Sequence, residues 1–299
     1  MLERVIDIDC HGERLTGVLA EPAEGEAAAD TAVLIVVGGP QYRAGSHRQF
    51  VLLARRLAEA GFPCLRFDVR GMGDSAGLLR SFEALDEDIS AAIDALHAAL
   101  PGVRHTVLWG LCDGASAVLL KLHARPDSRV AGLCLVNPWV RSPEGLARTQ
   151  LKHYYLQRLM QGSFWRKLFS GQVAGKALGE FWQSLRLAWR ARQPDQSAET
   201  SNAAMDSALP FTQRMAAGLS AFRGQVLILL SDEDFTAMEF AHHVGNDPTW
   251  ASLMSRQNVR RAKLEGADHT CSDSRSQGRM EDETLAWLLA FSPKPLISQ

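Results

Sequence analysis

Thr106-Val107-Leu108-Trp109-Gly110-Leu111-Cys112-Asp113-Gly114-Ala115-Ser116-Ala117-Val118-Leu119-Leu120-Lys121-Leu122-His123-Ala124 decides the fold. Its first four residues form a short apolar run with the character of a buried strand, and Ala115 to Ala124 has the pattern of a helix. Between them lies Gly110-Leu111-Cys112-Asp113-Gly114. A nucleophile carried on a tight strand-to-helix turn needs small residues two before and two after it, because larger ones collide with the folded-back chain. Such a turn lifts its side chain above the carboxyl edge of a sheet, where open α/β sheets place their ligands. It also sets that side chain at a helix N-terminus, whose partial positive charge favours an anion. A lone buried cysteine is ordinarily a small hydrophobe; the flanking strand and helix single Cys112 out.

Outward from this turn the chain alternates. Residues 3–9 and 14–20 read as a hairpin about His11 and Gly12, and Ala32 to Val37 as a buried strand ending in Gly38-Gly39-Pro40. A helix follows over 47–60, with Phe50, Leu53, Ala54 and Leu57 on one face and Gly61 closing it. Then come a strand at Cys64 to Asp68, a helix at Phe82 to Leu100 and a strand at Val130 to Val136. The rhythm breaks after Pro138. It resumes with strand Gln225 to Leu230, helix Ala237 to Val244, strand Val259 to Leu264 and helix Met280 to Phe291. Strands alternating with helices predict an α/β protein with a mostly parallel sheet flanked by helices. The expected organisation is a core domain over 1–138 and 223–299, with a helical cap insertion over 139–222.

Composition sets the bounds. The chain has 299 residues, 46% hydrophobic, with 32 Lys+Arg against 34 Asp+Glu and a net charge of −2. A chain this long buries roughly 75% of its unfolded surface without disulfides or metal. A near-neutral balance argues against a dedicated nucleic-acid binder. The five cysteines are widely spaced with no C-x-x-C pair, and no His-x-x-x-His occurs. That excludes a disulfide framework and a zinc-ligand pattern, so neither metal nor cofactor is expected. The start, Met1 to Asp7, alternates charge with apolar residues and lacks a signal peptide's apolar core. The apolar runs at 32–37 and 226–230 fall far short of the roughly 18 residues of a membrane span. A cytoplasmic protein is expected.

Several stretches then combine into a family likeness. Gly38-Gly39-Pro40 after a strand, Asp68-Val69-Arg70-Gly71-Met72-Gly73-Asp74-Ser75, the Cys112 elbow, Asp234 after a late strand and Gly266-Ala267-Asp268-His269 together resemble the α/β-hydrolase superfamily. The likeness covers nearly the whole chain outside the insertion. The stretch from Gly38 to Phe50, with cysteine in the elbow, is most similar to hydrolases associated with bacterial exosortase A systems. That resemblance implies a setting of exopolysaccharide production and surface-protein sorting. Cysteine in place of serine is also similar to dienelactone hydrolases, whose shorter chains lack an insertion like this one.

The resemblance implies the order nucleophile, acid, histidine, here Cys112, Asp234 and His269. The long gap between the first two leaves room for the insertion, and the short gap to His269 fits one helix and one strand. His269 would take the Cys112 proton while Asp234 fixes the imidazole tautomer. Within Ser231-Asp232-Glu233-Asp234, Asp234 matches the family spacing and Asp232 is the alternative. The oxyanion hole would combine the Asp113 N–H with one from the loop after strand 32–37. Gly39 fits a resemblance to the HGGP form of that loop. Val37 stands where that form has histidine and Pro40 has no N–H, so Gln41 is the other candidate. The Asp68 to Ser75 loop would pack near the elbow. His47 and Arg48 open a helix near the expected mouth, either to bind a substrate carboxylate or phosphate or as a solvated helix start. Cys271 reads as an inert thiol or an oxidative partner for Cys112, and Cys10, Cys64 and Cys134 as core.

The insertion has its own character. Residues 139–192 hold ten Lys/Arg against Glu144 and Glu180, with Trp139, Trp165, Trp182 and Trp189 among them. Three readings stand: a cap with an aromatic core and solvated charges, a site for an anionic or carrier-linked acyl substrate, or peripheral contact with an anionic membrane. For the whole protein, the leading expectation is a cofactor-independent hydrolase cleaving an ester or thioester through an acyl-enzyme. An acyltransferase using the same residues on a sugar or amine acceptor is the alternative. A non-catalytic binding protein on this fold is the alternative of another class.

Overall fold

The opening hairpin pairs β1 (Leu2–Cys10) with β2 (Glu13–Glu21) in antiparallel register, Val5 opposite Val18. His11 and Gly12 turn the chain with φ of 53° and 82°, a geometry glycine adopts freely. The computed structural model of the protein describes residues 1–25, 28–39, 41–140 and 209–292. After the hairpin come β3 (Thr31–Val36), α1 (Gln49–Glu59), β4 (Cys64–Phe67), α2 (Asp86–Ala99), β5 (His105–Leu111), α3 (Asp113–Ala124) and β6 (Val130–Val136). Beyond residue 208 follow α4 (Phe211–Ala221), β7 (Gln225–Ser231), α5 (Phe235–Asn246), α6 (Pro248–Met254), β8 (Val259–Leu264) and α7 (Ser274–Phe291).

The eight strands form one sheet in the order β1-β2-β4-β3-β5-β6-β7-β8. Only the β1–β2 and β2–β4 pairings are antiparallel; from β4 to β8 every neighbour is parallel. All six residues of β3 are buried, as expected for a strand covered on both faces. Alternate side chains of β5 feed the two halves of the core. Leu108 joins the cluster of Ile89, Leu119, Met215 and Phe240, whereas Val107, Trp109 and Leu111 join that of Phe50, Leu53 and Trp287. Helices α2 to α5 thus cover one face, and α1 and α7 the other. Trp109 is fully buried edge-on to Phe50 at 5.8 Å and donates its indole N–H to Thr284 at 3.4 Å, satisfying its polar atom within an apolar layer.

Some elements differ from the sequence reading. Helix α7 starts at Ser274 rather than near Met280, because its first turns are polar while Asp273 caps Arg275 and Ser276. Helix α6 was not anticipated; Asp247 caps Thr249 and Trp250, with proline in the first turn. Of the predicted insertion, residues 141–208 lie outside the described residues. Its last part carries α4, which belongs to the same compact unit as the sheet. Gly218 brings α4 against α3, where a Cβ would collide with the Leu119 carbonyl. No helix among the described residues is long and apolar enough to cross a membrane.

Candidate active site

The turn between β5 and α3 puts Cys112 at φ 59°, ψ −126°, a strained conformation for a residue with a side chain. The surroundings impose it. Cys112 N–H donates to the Val136 carbonyl at 2.9 Å, and Trp139 N–H donates to the Cys112 carbonyl at 3.2 Å. A Cβ on Gly110 would lie 2.7 Å from Ala115 N, and one on Gly114 2.5 Å from the Val36 carbonyl oxygen. Both glycines are therefore steric requirements, as the elbow pattern demanded. Gly110→Ala is expected to destabilise the protein by about 1–3 kcal/mol, the usual cost of overpacking. Chemical denaturation of the two proteins checks it.

Asp234 ends the β7 loop and caps α5, accepting from Thr236 N–H at 3.1 Å and Ala237 N–H at 3.0 Å. Its Oδ2 also lies 2.9 Å from His269 Nδ1. Burial works to raise this carboxyl, but the His269 hydrogen bond and the two capping N–H groups outweigh it and hold it below its ordinary value. Asp232 is committed elsewhere, accepting from Gly266 N–H at 2.6 Å and pairing with Lys263 at 3.2 Å. His269 is pushed up to about 10, first by its hydrogen bond to Asp234 and then by one to the Cys112 side chain. With Nδ1 engaged by Asp234, Nε2 is the nitrogen left to meet the sulfur. The fold thus brings Cys112, His269 and Asp234 into one relay.

Both residues read as oxyanion donors lie at the elbow. Gly38 and Gly39 pass so close that a Cβ on Gly38 would collide with Asp113 Oδ1 and Gly114 N. The N–H groups of Gly39, Asp113 and Gly114 lie against the Asp113 carboxyl. The Gln41 Oε1 accepts from Ser46 N–H at 3.3 Å. The Asp68 loop braces this segment: Asp68 accepts from Arg43 N–H at 2.6 Å and pairs with the Arg43 guanidinium. His47 and Arg48 are exposed, with φ of 52° and 62°. Cys271 is a free buried thiol hydrogen-bonded to Ser231, and burial pushes it up to about 11.

Asn137 is the residue sequence reasoning missed. Fully buried at the end of β6 with φ 47°, it donates to Ser231 Oγ at 3.0 Å and to the His269 carbonyl at 3.1 Å, while its Oδ1 accepts from Ser231 N–H at 2.9 Å. It thereby ties the ends of β6 and β7 to the His269 loop. The sequence marks only the break in rhythm after Pro138. Asn137→Ala leaves the buried Ser231 N–H unpaired, and a loss of about 1–3 kcal/mol is expected in denaturant titrations.

The family model described as Hydrolase_4, serine aminopeptidase S33, matches residues 28–265. The chain belongs to this family of α/β hydrolases, with cysteine at the elbow position. Among solved structures, the Pyrococcus furiosus esterase Pf2001 is similar at a TM-score of 0.61 and 14% identity, covering 97% of this chain and 93% of that one. Est1E from Butyrivibrio proteoclasticus, solved with ferulic acid bound, gives 0.59 and 18%, covering 94% and 98%. The haloalkane dehalogenase DatA from Agrobacterium tumefaciens gives 0.54 and 19%, covering 96% and 97%. At these identities the likeness is one of fold. A search of curated protein sequences returns no match.

Proposed function

We propose that the protein is a cysteine hydrolase that cleaves an ester or thioester through an acyl-enzyme on Cys112. The observation that carries this reading is the relay: His269 Nδ1 lies 2.9 Å from Asp234 Oδ2, with the Cys112 side chain on the other side of the imidazole. A histidine so held keeps its proton at neutral pH, which sets an imidazolium against the sulfur. The thiolate attacks the carbonyl carbon, and the carbonyl electrons move onto oxygen beside the elbow N–H groups. As they return, the bond to the leaving group breaks and His269 supplies its proton. His269, now neutral, takes a proton from water, which attacks the acyl thioester and frees Cys112.

One of the structural neighbours, Pf2001, is called an esterase, which fits an ester substrate. The acyl-enzyme is itself a thioester and remains open to other nucleophiles, so a sugar hydroxyl or amine in place of water would make the same site an acyltransferase. A small or carrier-linked acyl donor and an exosortase-associated, cytoplasmic setting complete the reading. The membrane contact expected of the basic insertion falls on residues outside those described.

Intact mass after brief incubation with a panel of acyl thioesters and activated esters tests it, with Cys112→Ala alongside. An acyl adduct in the parent protein alone supports the proposal, and added acceptors then separate hydrolysis from transfer. No adduct, with slow alkylation of Cys112 at neutral pH, would return the protein to the non-catalytic class.

A further inference from the structure

The stretch Val136-Asn137-Pro138-Trp139 leaves β6 against the elbow. Its main chain grips the nucleophile on both sides: the Val136 carbonyl accepts from Cys112 N–H at 2.9 Å, and Trp139 N–H donates to the Cys112 carbonyl at 3.2 Å. Ser116 Oγ, on α3, closes the same turn by donating to the Trp139 carbonyl at 2.6 Å. Asn137 stands between these contacts and reaches the base. Its Nδ2 donates to the His269 carbonyl at 3.1 Å and to Ser231 Oγ at 3.0 Å, and its Oδ1 accepts from Ser231 N–H at 2.9 Å. Its own N–H donates to the Leu229 carbonyl at 3.0 Å. One short segment thus fixes the backbone of Cys112 and the backbone of His269.

The position is demanding about residue type. Its φ of 47° is left-handed, a conformation that asparagine, aspartate and glycine tolerate. It is also fully buried, so its polar atoms need partners. Asparagine brings two amide donors and an acceptor, and all three are used here. An ionised aspartate only accepts, and glycine offers nothing.

The His269 imidazole is held at Nδ1 by Asp234 Oδ2, 2.9 Å away. A single hydrogen bond is a pivot, about which the ring can swing with its loop. Anchoring the carbonyl of the same residue removes that freedom and sets where Nε2 lies.

We propose that Asn137 is a positioning residue for the Cys112–His269 pair, tying the main chain of the base to the segment that holds the nucleophile. The inference deepens the acyl-enzyme reading above and rests on it for its effect on turnover. Asn137 transfers no proton and makes no bond to substrate. Without its tie the distance from Nε2 to the sulfur is no longer fixed, and proton exchange between them needs hydrogen-bond reach.

Asn137→Gly and Asn137→Asp test the proposal. Glycine keeps the left-handed turn and deletes all three side-chain bonds. Aspartate keeps the shape and the acceptor for Ser231 N–H but loses both donors. Denaturant titration first sets conditions in which each variant is folded. There, kcat on an activated ester should fall by about tenfold to a hundredfold, while KM changes by less than about threefold. Alkylation of Cys112 by iodoacetamide, followed by peptide mass, reads the thiol–imidazole pair without substrate. The other four cysteines are buried. Near pH 7 the alkylation should slow by about tenfold in both variants. A residue that served only the turn or the fold would leave this rate unmoved. A folded variant alkylated within about twofold of the parent rate would overturn the proposal. Failure of both variants to fold would also overturn it, assigning Asn137 to the fold alone. A parent protein that forms no acyl adduct would overturn the acyl-enzyme reading instead, and the alkylation rates would still decide whether Asn137 sets the pair.

Discussion

Cys112→Ser is expected to lower turnover at neutral pH by about a thousandfold, although the family is described by its serine members. The resting place of the proton decides the effect. His269 is held above its ordinary value first by Asp234 and second by the Cys112 side chain. Serine removes the second influence and keeps the first. A hydroxyl gives up its proton far less readily than a thiol, so attack then needs the imidazole to take that proton as the bond forms. A cysteine sulfur attacks readily once its proton is shed, whereas a serine hydroxyl must lose its proton to the imidazole during attack. The variant's kcat/KM should therefore climb as pH rises and His269 deprotonates. A pH profile on an activated ester is the check; serine activity within about tenfold of the parent at pH 7 would show that the site does not depend on a thiolate–imidazolium pair.

The parts of this arrangement that the sequence disclosed are those where backbone constraint dictates residue type. Buried parallel strands must be apolar throughout, so β3, β5, β6 and β7 stand out as short runs. The elbow must be flanked by small residues, so Gly110 and Gly114 mark it; each would collide with backbone if it carried a Cβ. Asp234 is marked by its spacing after a late strand; in the fold it also caps α5 through two N–H groups. Spacing after the strand favours Asp234, with Asp232 as the alternative. Which one meets His269 depends on the β7 loop, where Asp232 turns away to Gly266 and Lys263.

What stayed hidden depends on contacts between distant segments. Asn137 acts through Ser231 and His269, 94 and 132 residues away, and nothing in its neighbourhood announces those partners. The Asp113 carboxyl had been read only through its backbone N–H. Its side chain lies against Gly38 and Gly39, from the loop after β3, a packing that no local pattern announces. Helix α6 was missed for a different reason: it is seven residues long, too short for an apolar stripe to emerge, although its cap and proline were in view.

Asp234→Asn should separate the two tasks of one carboxylate. One task is structural, the capping of α5 through Thr236 and Ala237; the other is the 2.9 Å contact to His269. Asparagine caps a helix about as well as aspartate, so the cap of α5 should be kept, whereas Asp234→Ala should cost about 1 kcal/mol more. Turnover should fall by about 10³–10⁴-fold in the asparagine variant, because a neutral amide neither compensates the imidazolium nor enforces the tautomer that presents Nε2 to the sulfur. The acid behaviour follows from the depressed Asp234 carboxyl. A group whose folded value lies below its unfolded value of about 3.9 stabilises the fold above that pH, and the contribution disappears as pH falls through the folded value. Any stability advantage of the parent over Asp234→Asn should therefore shrink below about pH 4. Denaturant titrations at several pH values and single-turnover acylation read the two tasks independently. If the asparagine variant lost stability and activity in proportion, Asp234 would be acting through the fold and not through His269.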